Sequence, residues 1–137
     1  MPPYHGRDSN IGQVETLGIH HVGVAVADLD EAVATYVRLL GGLLEHRERV
    51  EAQGVEAASI RFAESRVELL AALGEDTPVG RFLAKGGPGM HHVAYEVDDV
   101  RAALADLTEQ GAELIDDEPR RGLFGLEVAF IHPGSVH

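Results

Sequence analysis

The sequence predicts an α+β fold made of two tandem βαβββ modules, the first over 17–75 and the second over 89–137. Three observations carry that expectation. The segment GIHHVGVAVADLDEAVATY, from Gly18, returns 71 positions later as GMHHVAYEVDDVRAALADL, from Gly89, without a gap. In each copy an alternating apolar run precedes an acidic turn, and an apolar stripe with helical spacing follows it. Each helical stripe is bracketed by an aspartate before it and a glycine after it, the residues that start and stop helices. Two copies are too few for an open solenoid, so a pseudo-two-fold pair is expected.

The elements follow in order. Residues 1–16 are polar and read as a leader without a secretory pattern. The first strand is expected over Ile19–Ala27. Asp28 then caps a helix, and Glu31, three residues on, can complete a capping box. Ala32, Val33, Tyr36, Val37 and Leu40 give that helix its apolar stripe, and Gly41-Gly42 end it. Strands are expected over Leu43–Arg49, Ala57–Ala63 and Arg66–Ala71. The linker, 76–88, is glycine-rich at its end and carries a short helix over Val79–Lys85. In the second module Asp98 or Asp99 caps a helix striped by Val100, Ala103, Leu104 and Leu107. Strands are then expected over Glu113–Asp116 and Leu126–Ile131.

Composition narrows the function classes. The chain has 137 residues, 45% of them hydrophobic, which is enough for a real core. There is no cysteine, so disulfides and thiolate metal sites are excluded and a reducing, cytoplasmic setting is expected. The formal net charge of -12 argues against nucleic acid, whose phosphates need a basic footprint. No apolar run reaches the roughly 18 residues of a membrane span. An anionic ligand would need a local basic patch, for which Arg61, Lys85, Arg120 and Arg121 are available.

The doubled His-His-Val is the informative motif. Side chains alternate across a strand. His20, Val22, Val24 and Val26 therefore share one face, and His21, Gly23 and Ala25 the other. In the second copy His91, Val93, Tyr95 and Val97 oppose His92, Ala94 and Glu96. The β-branched faces suit packing under a helix. The faces that pair a histidine with small residues suit a cavity wall, on which His21 and His92 are equivalent. Glu68 sits between Val67 and Leu69 in the apolar strand RVELLAAL, where a charged residue should be avoided or paired. Two imidazoles and a carboxylate form a mixed N/O set for a divalent metal: cobalt, manganese, zinc or nickel. The competing reading is plainer, with each histidine satisfied by its core or surface surroundings. Glu96 either completes the set or is solvated.

These segments resemble a known family. HHVGVAVADLDEAVATYVRLLG, QGVEA, the stretch from Glu68 to Asp99 and FIHPGS, from Phe130, are similar to the methylmalonyl-CoA epimerase family of the vicinal oxygen chelate (glyoxalase–bleomycin resistance) superfamily. The resemblance implies a half-open barrel of paired βαβββ modules around a metal cavity. It implies a homodimer, an acyl-CoA thioester substrate, and a divalent ion held by His21, Glu68 and His92. The implied reaction removes and returns the α-proton between thioester and carboxylate, interconverting (2R)- and (2S)-methylmalonyl-CoA.

Two departures stand out. Family members continue past HPGS into an apolar strand ending in a fourth ligand, a glutamate, which this sequence lacks. The expectation is a native polypeptide that extends beyond His137. Some members also carry a catalytic glutamate four residues after the glutamine of QGV. Counted from Gln53, that position is Ala57, and the neighbouring Glu56 serves as catalytic group only if a bulge re-aims it. Arg120 and Arg121 either meet CoA phosphates or are solvated. Two other functions share the fold: a glyoxalase-type isomerase or dioxygenase, and a non-catalytic ligand-binding protein.

Overall fold

The computed structural model describes residues 14–135. Most of the leader lies outside the described residues, as do Val136 and His137. The order is β1 (Thr16–Ala25), α1 (Leu29–Leu40), β2 (Leu43–Val50), β3 (Val55–Phe62), β4 (Ser65–Ala72), α2 (Pro78–Gly86), β5 (Gly89–Val97), α3 (Val100–Glu109), β6 (Arg120–Arg121) and β7 (Glu127–Val128). Short 3₁₀ turns lie at Glu51–Gln53, Leu123–Gly125 and Pro133–Ser135. The architecture is α+β. The described residues divide into two compact units, one of residues 19–95 and one of residues 14–18 with 96–135.

In the first unit, five strands form a mixed sheet in the order β2-β3-β4-β1-β5. β2, β3 and β4 make an antiparallel meander, and β1 lies parallel to β4. The parallel pair needs a crossover, and α1 with the meander supplies it. Helix α1 starts where Asp28 Oδ1 accepts the Glu31 amide at 3.0 Å. It ends at Gly41, whose φ of 71° is a left-handed turn that glycine adopts without strain. Thr77 caps α2 in the same way, its hydroxyl accepting the Gly80 amide at 3.0 Å.

The core beneath α1 joins buried Leu29, Ala58, Ile60 and Leu69 to Val24, Val26, Ala32, Val33, Tyr36 and Val67. Val24 and Val26 thus pack under the helix, on the face that the alternation predicts. Each fully buried aliphatic side chain contributes about 1.5–3 kcal/mol. The helix is tied down at its first turn by Arg47, which bonds Asp30 at 2.8 Å and Glu56 at 3.1 Å.

In the second unit, Asp99, not Asp98, caps α3, accepting the Ala102 amide at 3.1 Å. The two strands expected after α3 are much reduced. Over 113–116 only an isolated bridge from Leu114 to Ile131 forms, and over 126–131 only β7 and the other end of that bridge. The reason is local. Phe130 donates its amide to the Asp116 carboxylate at 2.7 Å in place of a ladder partner. The connection also carries Pro119, which has no amide to give, and Phe124 at a φ of 60°. β6 and β7 close a two-stranded hairpin there.

Candidate metal centre

The sheet registers put one row of residues across the face away from α1. Gly23 on β1 is opposite Glu68 on β4, Glu68 is opposite Ser59 on β3, and Ser59 is opposite His46 on β2. His21 lies two residues before Gly23 on the same face of β1. His92 reaches in from β5, the strand beside β1. Liganding atoms of His21, Glu68 and His92 all lie within 4.8 Å of one another. His21 Nε2 is 3.1 Å from His92 Nε2, and His21 Nδ1 is 3.2 Å from Glu68 Oε2. The structure therefore brings together the three residues that the repeat and the isolated glutamate single out. Glu96 is exposed and outside the group.

Burial controls the electrostatics. Glu68 is 2% exposed, and loss of solvent pushes its carboxyl up to about 7. The same loss, reinforced by neighbouring histidines, holds His21 and His92 down at about 4. At neutral pH both imidazoles are uncharged and have lone pairs to offer. The His21–Glu68 contact is then a hydrogen bond to a neutral imidazole, not a salt bridge. Two nitrogens and one costly carboxylate, with liganding atoms within 4.8 Å of one another, fit a divalent cation. The donors do not select among cobalt, manganese, zinc and nickel.

Two more histidines belong to the arrangement. His20 Nδ1 lies 2.9 Å from His21 Nδ1, and His91 Nδ1 lies 3.0 Å from His92 Nδ1. The contact repeats between the two copies and leaves the Nε2 atoms of His21 and His92 facing each other. His91 is also held edge-on by Phe82 of α2, with ring centroids 5.0 Å apart. The alternation places His20 and His91 only on the packing face. The doubling of histidine in both copies is the signal that they act on their neighbours.

Glu56 is positioned differently from a catalytic group. No bulge falls at Glu56; the one register shift between β2 and β3 is at Leu44/His46. Glu56 therefore stays on the side of α1, bonded to Arg47, while Ala57 faces the row and is fully buried. Glu56→Gln should accordingly leave turnover within about threefold and cost at most about 1 kcal/mol of stability, as for other partly exposed ion pairs. Steady-state rates and urea denaturation check both parts.

In the second unit, Arg120 bonds Asp116 at 3.4 Å and lies over the Phe130 ring at 5.0 Å. Arg121 is exposed on β6.

Residues 20–130 match the Glyoxalase/Bleomycin resistance protein/Dioxygenase superfamily, and the chain belongs to it. Within that superfamily its relatives include epimerases of acyl-CoA thioesters. The chain is 36% identical to human mitochondrial methylmalonyl-CoA epimerase over 92% of its own length and 73% of the relative's. It is 38% identical to the ethylmalonyl-CoA/methylmalonyl-CoA epimerase of Cereibacter sphaeroides, over 84% of this chain and 87% of that one. A Streptomyces coelicolor methylmalonyl-CoA epimerase variant, solved in complex with 2-nitronate-propionyl-CoA, superposes with a TM-score of 0.86 at 38% identity. That match covers 90% of this chain and 92% of the other. Among the described residues no helix is long and apolar enough to cross a membrane.

Proposed function

We propose that this chain is a metal-dependent epimerase that interconverts (2R)- and (2S)-methylmalonyl-CoA. The observation that carries the reading is the convergence of His21, Glu68 and His92 within a chain 36–38% identical to such epimerases. A divalent ion held by these three residues would supply Lewis-acid stabilisation of the charge that develops as the α-proton leaves.

The chain's own residues do the rest. His21 and His92 stay neutral, so both can ligate without first losing a proton. Glu68 brings the negative charge that its buried setting otherwise disfavours. His20 and His91 hold the two liganding rings in orientation. Ser59, within the row, and Ala57, two residues along the same strand face, are both buried, which leaves this part of the face shielded from solvent. Arg120 and Arg121 are assigned to the CoA phosphates, as an exposed basic pair in an acidic chain. A homodimer belongs to the same reading.

The test is exchange of the α-proton of methylmalonyl-CoA in deuterated water. Deuterium should enter without bond cleavage, stop after chelation, and resume when a divalent ion is restored. Exchange that survives complete metal removal would count against the role given to the three ligands. Ala57 puts no proton-carrying group at its position on this face, which favours a second reading, a non-catalytic thioester-binding protein. Tight binding of methylmalonyl-CoA without any exchange would decide for it.

A further inference from the structure

Gly23 is a glycine that the backbone does not require. Its φ lies outside the left-handed region, so any residue could adopt the conformation. Glycine in a strand interior is unfavourable, since it adds entropy to the unfolded chain and packs nothing. The repeat agrees: the equivalent position of the second copy is Ala94. Something other than the strand accounts for the missing side chain.

The space is taken by His92. A methyl group built on Gly23 would sit 2.6 Å from His92 Nδ1 and 2.7 Å from Nε2, closer still to the Cε1 between them. The imidazole thus lies flat against the bare backbone of β1, beside Glu68 in the register. That seat allows His92 Nε2 to come within 3.1 Å of His21 Nε2.

We propose that Gly23 is a positioning residue of the metal centre, whose role is to leave room for the His92 ring. The inference rests on the metal reading above. A side chain at position 23 displaces the ring, because an imidazole on two rotatable bonds yields more easily than two hydrogen-bonded strands. The ligand moves and the sheet stays.

This separates two properties that a packing glycine would lose together. Gly42 is the control. It is also buried, but a methyl there would meet Ile60 and, at 2.8 Å, Phe62, in the core under α1. The experiment compares wild type, Gly23→Ala and Gly42→Ala, purified metal-free. It measures Tm, then titrates each with cobalt(II) alone, followed by visible absorption. Gly23→Ala should keep or raise the metal-free Tm yet bind cobalt at least about tenfold more weakly, with an altered spectrum. Gly42→Ala should lose Tm and keep the wild-type spectrum and affinity. Wild-type affinity in Gly23→Ala overturns the proposal, and so does a Tm loss in Gly23→Ala that matches Gly42→Ala. A wild-type protein that takes up no cobalt overturns the metal reading instead. The seat is then judged on the metal-free ring: His92 ring proton resonances should move in Gly23→Ala, and unmoved resonances overturn it.

Discussion

His92→Ala should lower α-proton exchange by at least about a hundredfold, since even outer partners of a metal ligand are typically worth 10–100-fold. The residue contributes one of only two nitrogens in the cluster, and its removal leaves His21 and Glu68 as the remaining donors. The fold should survive. His92 lies on the face opposite the core under α1, and truncation removes an imidazole whose burial already disfavours its charged form. The expected record is a lost rate, lost metal and a Tm within a few degrees of wild type. Metal content, exchange rate and a thermal scan on the same preparation check it. A variant that keeps its metal and its rate would show that His92 is not a ligand.

Glu68→Gln should act in opposite directions on stability and on metal binding. In the metal-free protein the Glu68 carboxyl is raised from 4.5 to about 7 by burial. The unfolded chain therefore gives up this proton at lower pH than the folded one. Stability falls as pH rises from about 4.5 through 7 and stays reduced above, because the folded state must then ionise a desolvated group. Glutamine never ionises. At pH 8 the metal-free variant should be more stable than wild type, by an amount capped near 3 kcal/mol at about 1.4 kcal/mol per pH unit. Near pH 4.5 the two should converge. His21 and His92 are lowered to about 4 in the metal-free protein, so they withdraw stability as pH falls below 6.5. If that term is shared by both proteins, it cancels in the difference. Adding metal should reverse the order, since the carboxylate then has its cation and the amide is a poorer ligand. Urea denaturation at both pH values, with chelator and with metal, gives the four numbers. A metal-free variant less stable than wild type at pH 8 would show that Glu68 is satisfied without a cation.

Both predictions concern residues legible in the sequence itself. The offset of 71 made His21 and His92 equivalent, and period-two alternation put them on the face away from the β-branched side chains. Glu68 was visible because a charge set between Val67 and Leu69 conflicts with the burial of its neighbours. Glu56 shows the limit of such reasoning. Its value as a catalytic group depended on a bulge, and the one bulge between β2 and β3 falls at Leu44/His46, too far along the strand to turn it.

Local chemistry determined which elements the first unit forms, to within about three residues at their ends, because each signal acts within a few positions. Asp28 and Gly41 bound α1, and alternation marks β1. The strands after α3 escaped that code. Whether an apolar segment becomes a strand depends on finding a partner for its amides, and here Asp116 takes the Phe130 amide while Pro119, in the connection, has no amide to give. Distances were beyond the sequence for a similar reason. Periodicity assigns a face but not a register. Only the pairing of Gly23 with Glu68, and the placing of β5 beside β1, sets the two imidazole nitrogens 3.1 Å apart and lays the His92 ring over a residue with no side chain. Those contacts join residues up to 71 positions apart, and their geometry is decided by how strands dock rather than by what any strand is made of.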